Sequence, residues 1–543
     1  RRPPRSTLFP YTTLFRSRCK TKFKFSKIEP DEVNKLLQSL SNNKATGTDG
    51  IPARIVKHLA PALTLPLHYL FNLSLNTGEI PTMWKKGKVS PIYKEGPSNN
   101  PSNYRPICVL PIIMKTFEKL VHTRLYQHVV ANNILNIYQS GFRPKHSTVT
   151  TLLDVQEYIL NNTEKGLLTG VVFLDLKKAF DTVNANLLLE KLQHVGIEDL
   201  ELAWFRDYLT SRTQVVNFNG HTSDACSMSY GVPQGSILGP LLFIIYINDL
   251  PSHLTNAKVT LYADDTALLF PQKSIKDIER VLSDELAIAQ AWLAQNKLTL
   301  NLQKTKCMIL SSKQRTPKTP LNIITNDMYG NPTRVEEVDS FKYLGVWIDK
   351  NLSWSSHIDH ISKKISQRLG VLSRCRKVIT QDTALLLYNA LVLPLFDYAD
   401  VVWKTCNKTD LLRLERLQKR GARIILQSGI RERSTVDLFK ELNWLPLSVR
   451  LDLHTCILMY KCTHGLTPQY LTDFFTHTSK IHNYNTRQAN NLQQNSCKGV
   501  QRSKSFFSSG PLLWNKLPNC IRESPSLNTF KKKCITHLKY NAL

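Results

Sequence analysis

The chain has 543 residues, with 71 Lys and Arg against 42 Asp and Glu, a formal net charge of +29 and a sequence pI of about 9.6. Hydrophobic residues make up 42% of it, which excludes a disordered chain and is enough to fill the cores of several subdomains. Its eleven cysteines include no CxxC pair, arguing against a disulfide scaffold and for reduced thiols inside a cell, while the positive excess favours phosphate backbones as partners.

In chain order, Ser6 to Ser17 (STLFPYTTLFRS) is the codon-by-codon translation of a sequencing-adapter string, so residues 1–17 are set aside as an artefact. Apolar periodicity predicts helices over Asp31–Leu40 and Ile112–Asn132. Val171 to Leu174 reads as a buried strand ending in Asp175, and Leu187–Val195 as an amphipathic helix. Residues 231–250 form a glycine-containing polar turn that feeds an apolar helix. Its run from Ile237 to Ile247, interrupted by Gly239 and Pro240, is too short to span a bilayer. LYADDTALLF, residues 261–270, reads as a hairpin and Ile275–Asn296 as a helix behind it. Further on, Lys363, Lys364, Arg368, Arg374, Arg376 and Lys377 mark a basic helical face, and Asp410–Leu426 is a basic helix with leucines at Leu411, Leu414 and Leu417. Asn483–Ser503, rich in Asn and Gln, reads as a linker.

Two places carry chemistry. Asp264 and Asp265 stand side by side between apolar stretches, and their repulsion must be offset by something positive. Magnesium, a hard cation that takes carboxylate and phosphate oxygens, suits them; the bland alternative is a solvated hairpin turn. Asp175 decides between the two, because an Asp at the end of a buried strand costs desolvation unless it is paired or liganded. Between these sites Gly231 and Gly235 would allow a flat ligand to lie close to the backbone.

FLDLKKAFD, GVPQGSILGP and YADD, in this order, resemble motifs A, B and C of the reverse transcriptases of non-LTR (LINE-like, CR1- and jockey-type) retrotransposons. The likeness extends to KATGTDGIPARIVK (44–57), VSPIYKEGPSNNPSNYRPICVLP (89–111) and QSGFRPKHST (139–148). After motif C it continues in NKLTLNLQKTKCMIL (296–310, motif D), FKYLGVWID (341–349, the primer grip), LYNALVLPLFDYADVVW (387–403, a thumb) and SFFSSGPLLWNKLPNCIRE (505–523).

The resemblance implies an α+β right-hand polymerase of fingers, palm and thumb with a mainly helical C-terminal extension. It divides the chain into an N-terminal region and fingers (18–168), palm (169–350, with the reverse transcriptase domain at about 85–350), thumb-like helices (351–475) and a linker with a closing segment (476–543). It implies an RNA-directed DNA polymerase that uses two Mg2+ ions, or Mn2+ in their place, an RNA template, a DNA primer or target DNA, and deoxynucleoside triphosphates, with no membrane partner. Asp175 and Asp264 would bridge both ions and Asp265 would be the third carboxylate. Phe180 would wall off a 2′ hydroxyl beneath the incoming sugar, or be a plain core residue; Asp181 would make local hydrogen bonds. Gln234 and Gly235 would line the nucleotide and template side, and Lys94 and Arg105 would grip the triphosphate. Lys304, rather than Lys306, would protonate the departing pyrophosphate. Gly345 would let a hairpin approach the primer, or mark a strand bulge.

The family usually carries an endonuclease ahead of the polymerase, and the chain is expected to be a fragment lacking it. Localisation is expected to be cytoplasmic with element RNA and nuclear during insertion. The alternatives are an inactive relic that only binds nucleic acid and another palm-type polymerase, a viral RNA-dependent polymerase or an intron-encoded reverse transcriptase; Phe180 argues against RNA synthesis.

Overall fold

Leu168 to Leu174 is buried at every position and is hydrogen-bonded on both sides, which is what a continuous apolar run without alternation demands of a strand. The computed structural model describes residues 19, 21–317, 319–327, 330–429, 432–480, 491–494 and 496–542. The span read as adapter sequence lies outside them, as do residues 483–490 and 495 of the predicted linker. The described chain divides into two compact units: residues 1–142, 175–255 and 285–301 in one, and 143–174, 256–284 and 302–543 in the other.

The first unit holds a small sheet and a helical, aromatic core. Lys86–Tyr93 pairs antiparallel with Tyr104–Val109 and parallel with Arg212–Phe218, whose other neighbours are the short strands His221–Thr222 and Cys226–Met228. Helices Ala60–Thr77, Ile112–Ala131 and Asp199–Leu209 meet through Phe71, Phe117 and Trp204. Phe71 stacks on Phe117 at 4.7 Å between centroids and Trp204 meets Phe117 edge-on at 5.5 Å, the geometries that ring quadrupoles prefer. The predicted helix Ile112–Asn132 ends one residue early, where the Asn132 N–H closes on the His128 carbonyl.

The second unit is built on a five-stranded sheet in the order Glu336–Glu337, Lys306–Leu310, Leu168–Leu174, Asp265–Gln272, Lys258–Tyr262. The motif A strand and motif C hairpin share it as expected, and Lys306–Leu310, the end of the motif D segment, joins the other side of the central strand. Helix Ile275–Gln295 packs across the central strand at Gly170, where a Cβ would stand 2.2 Å from the Ile278 side chain. One apolar core runs from this sheet (Phe173, Leu269, Met308) through the hairpin Ser340–Asp349 (Val346, Ile348). It continues into the helices Ser355–Cys375, Lys408–Leu426, Leu447–Thr463 and Leu527–Ala542 (Leu369, Leu414, Met459, Phe530). The segment expected to form the thumb and the C-terminal extension therefore share a core with this sheet.

The described end of the predicted linker is not a free connector. Arg502 donates to Glu157 (2.6 and 3.0 Å) and Glu164 (2.6 Å), while the Lys498 and Gly499 amides donate to Glu164. Gln501 donates to the Asn351 and Leu352 carbonyls just after the hairpin. The polar composition that suggests a linker is in these residues the polarity of a docked segment.

Candidate functional site

The carboxylates of motif C sit where the backbone is tightest. Tyr262 pairs with Asp265, so Ala263 and Asp264 make a two-residue turn; Ala263 takes φ +56°, a strain its small side chain tolerates. Asp264 is half-buried and Asp265 exposed. The charge of Asp265 is felt nearby: the Tyr343 hydroxyl is pushed up, first by burial and then by Asp265 and Asp154. In the neighbouring strand Leu174 pairs with Thr266, the residue after Asp265, and the chain passes from Leu174 directly to Asp175. A strand that ends there satisfies its hydrogen bonds before its first carboxylate.

Within the first unit Asp175 leads into a turn held at several points. The Lys177 amide donates to the Thr299 carbonyl at 2.9 Å, Leu176 bridges antiparallel to Leu300, and Asp181 closes on the Lys178 carbonyl. Phe180 stacks on Phe243 at 4.3 Å and meets Phe142 edge-on at 6.1 Å, so the ring is fixed by core contacts while remaining half-exposed.

The motif B turn rests on protein where a flat ligand was expected. At Gly231 a Cβ would meet the Asp181 backbone at 2.8 Å, and at Gly235, φ +116°, it would meet the Cys108 carbonyl at 2.5 Å. The Gly231 and Val232 amides donate to the Val183 and Phe180 carbonyls, and the Cys108 amide donates to the Gln234 carbonyl at 2.6 Å. The Gln234 side chain donates to Asp181 at 2.8 Å. Asp181 thus bonds a residue 53 positions away, against the expectation of local bonding, because desolvation of its carboxyl is relieved by that amide.

Sequence reading missed the residue that anchors this turn. Glu118, fully buried on helix Ile112–Ala131, accepts from the Ile237 amide at 2.7 Å and from the Tyr208 hydroxyl at 2.6 Å. Burial raises its pKa, and those two donors and the charge of Arg212 oppose the rise. The available signal was one acid at an apolar register position, between Phe117 and Val121.

The expected triphosphate cations, Lys94 and Arg105, lie on the exposed faces of the paired strands and the turn between them. Lys94 is 4.0 Å from Glu95, an exposed pair of little worth. Lys304 is exposed, whereas Lys306 donates to Glu336 at 2.6 Å and is engaged elsewhere. Gly345 belongs to the turn between Tyr343 and Val346, with Leu344 and Gly345 both at positive φ, and a Cβ there would press on the Tyr398 ring at 2.8 Å. The turn, rather than a bulge, requires it.

Two charged clusters lie away from these motifs. Asp397, Asp400 and His454 bring ligand atoms within 4.8 Å of one another, but Arg450 grips Asp397 through two bonds (2.6 and 2.7 Å) and His454 bonds Asp400, so both carboxylates are already engaged by protein. At the C-terminal ends of helices Ser355–Cys375 and Lys408–Leu426, Arg376, Lys377, Arg420 and Arg423 line one cleft, and among the described residues no carboxylate lines it. Arg376 caps the Ile425 and Ile379 carbonyls there.

Residues 92–348 match the family described as Reverse transcriptase (RNA-dependent DNA polymerase). They are a reverse transcriptase domain. The domain contains every candidate residue, from Lys94 to Lys304 with all three aspartates, and it stops in the hairpin strand Val346–Asp349. The chain is 29% identical over 413 residues to the "Probable RNA-directed DNA polymerase from transposon X-element" of Drosophila melanogaster, covering 73% of this chain and 44% of that protein. It is 29% identical to the corresponding protein from transposon BS (79% and 48%) and 28% to the RNA-directed DNA polymerase from mobile element jockey (74% and 44%), both of the same fly. The chain thus spans less than half the length of these relatives. A reverse transcriptase domain implies divalent-metal use, and no described helix is long and apolar enough to cross a membrane.

Proposed function

We propose that the chain is the polymerase portion of a non-LTR retrotransposon protein, extending a DNA primer on the element's RNA with deoxynucleoside triphosphates. The observation that carries this reading is the set of three aspartates inside the reverse transcriptase domain, with Leu174, the residue before Asp175, in register with Thr266, the residue after Asp265. Three hard carboxylate donors at strand ends fit Mg2+, whereas the Arg450-bound cluster does not. Bound Mg2+ supplies activation of the primer hydroxyl and charge stabilisation of the leaving pyrophosphate.

The chain's own residues divide the remaining work. Asp175, Asp264 and Asp265 hold the cations. Phe180, its ring fixed by Phe243, stands under the sugar and excludes a 2′ hydroxyl. Lys94 and Arg105, exposed and free to turn toward phosphate, draw in the triphosphate; Lys304 gives a proton to the leaving group. Gln234 and Gly235 shape the nucleotide side through a turn whose backbone is already satisfied. The basic faces of the two long helices after the domain carry the nucleic-acid backbone.

Primer extension on an RNA template with Mg2+ tests this, comparing the wild-type chain with Asp264→Ala. Extension that disappears in the variant establishes the activity and its carboxylate. A folded wild type that binds primed RNA and extends nothing overturns it in favour of a binding-only relic.

A further inference from the structure

We propose that Tyr398 is a positioning residue, its hydroxyl holding the turn Leu344–Gly345 where that turn meets the end of the primer strand beside the motif C aspartates; this rests on the polymerase reading above. The Tyr398 hydroxyl donates to the Leu344 carbonyl at 2.7 Å and lies 3.1 Å from the Thr148 hydroxyl. Its ring faces Gly345, where a Cβ would stand 2.8 Å from it. One side chain, 54 positions on from Leu344, thus covers both residues of the turn.

The turn needs such a support. Its two residues take φ +46° and +83°, and a left-handed backbone suits Gly345 but strains Leu344, which carries a Cβ. The strand pairing closes at Tyr343 and Val346, so the Leu344 carbonyl lies outside it and is satisfied from another element. Strain of this kind persists where the surroundings impose it, and it gathers at sites that hold a ligand. Tyr398 can impose it because its backbone is fixed independently of its hydroxyl. The Tyr398 amide donates to the Pro394 carbonyl at 3.1 Å, and the indole of the buried Trp403 donates to the Tyr398 carbonyl at 2.9 Å. The ring itself is 42% exposed. At so open a place water can replace the hydroxyl's bond, so removing it costs the fold little and frees the turn.

The surroundings of the turn give its task. In the strand leading to it, Phe341 stacks on Phe173 of the central strand at 4.4 Å and Tyr343 meets the same ring at 5.2 Å. The hydroxyl of Tyr262, two residues before Asp264, is raised first by burial and then by the nearby Tyr398 and Asp265. The turn, Tyr398 and the motif C hairpin therefore share one neighbourhood. A polymerase brings two substrates to its carboxylates, a triphosphate and a strand end with its hydroxyl. Residues Tyr343 to Val346 and Tyr398 carry no cation for a triphosphate, whereas an exposed aromatic ring beside a glycine can lie against a sugar or a base. The strand end is the ligand that this surface fits.

The test compares the full chain with Tyr398→Phe, which keeps the ring and removes only the hydroxyl. A DNA primer with the fluorescent base 2-aminopurine at its 3′ end, annealed to an RNA template, reports without nucleotides how firmly the strand end is seated. Primer-extension kinetics with Mg2+ report the consequence. A misplacement of about 1 Å can cost about 100-fold in rate, so losing one contact of several is expected to lower kcat about 10-fold. The nucleotide KM should stay within about twofold of wild type and the melting temperature within about 2 °C. The fluorescence of the bound primer should move toward that of the unbound duplex. A variant whose bound primer fluoresces as it does with the wild type overturns the assignment, as does a loss confined to melting temperature or a change confined to the nucleotide KM. Should the wild type bind primed RNA without extending it, the polymerase reading fails, and the fluorescence comparison still decides whether Tyr398 seats the strand end.

Discussion

Two segments of this chain are seated by buried carboxylates in opposite ways. The motif B turn is held by Glu118, whose oxygens accept from one main-chain amide and one hydroxyl, with Arg212 acting as a nearby charge. The segment 498–502 is held by Glu157 and Glu164, which share the guanidinium of Arg502. A carboxylate satisfied mostly by neutral donors pays its desolvation largely unaided, and its pKa rises. At the rim, Glu164 is held below the usual range by the Gly499 amide and Arg502 although burial opposes this, while the more deeply buried Glu157 is raised by desolvation in spite of Arg502. The first device fixes a turn in a dry interior, and the second clips a surface segment to a helix.

The largest expected effect comes from removing the deeper device. Glu118→Ala leaves the Ile237 amide, the Tyr208 hydroxyl and the Arg212 charge without their partner. It should cost about 3–5 kcal/mol in denaturant titration and raise the nucleotide KM of whatever still folds. Arg502→Ala strands Glu157 in the same sense, yet at a partly wet site, so about 3 kcal/mol is expected, with kcat changing less than in the Glu118 variant. Equal losses of activity from the two substitutions would remove the distinction drawn between them.

Gly235→Ala sharpens the picture at the turn itself. A side chain at φ +116° facing the Cys108 carbonyl at 2.5 Å should cost about 1–3 kcal/mol and shift the turn, visible as a raised nucleotide KM. An unchanged KM would show that the turn does not shape the nucleotide side.

The smallest effect is in pH. Glu118 has a folded pKa above its unfolded value, so its contribution is fully present below the unfolded pKa and is lost as pH rises through the folded one. Glu164 has a lowered folded pKa, so its contribution is present above the unfolded pKa and is lost as pH falls through the folded one. Glu118→Gln should therefore gain on the wild type in thermal melts as pH rises, whereas Glu164→Gln should lose ground over the same rise. Parallel trends would mean that the two carboxylates are seated alike.

Much of the fold was legible because its signals are local. The helix Ile275–Gln295 and the helix Ile112–Ala131 follow from periodicity, and the three aspartates from their place at the ends of apolar runs. What stayed hidden depends on long-range pairing. Arg502 meets Glu157 across 345 residues, and nothing in the Asn- and Gln-rich composition around it signals a partner. Gly235 was correctly picked as a close-approach position, but composition cannot say that the neighbour is the Cys108 carbonyl. Gln234 was expected to face nucleotide, and its bond to Asp181 arises only because the motif A and motif B turns meet.

The central strand Leu168–Leu174 is locked by partners on both edges, each in fixed register with it. Side chains alternate between faces along a strand, so losing one codon between Lys258 and Tyr262 or within Asp265–Gln272 would send every following residue of that strand to the opposite face. A point mutation at Asp264 can revert in one step, but such a deletion needs a second event at the same place. A lost residue in this hairpin is therefore a lasting change, where a single altered side chain is not.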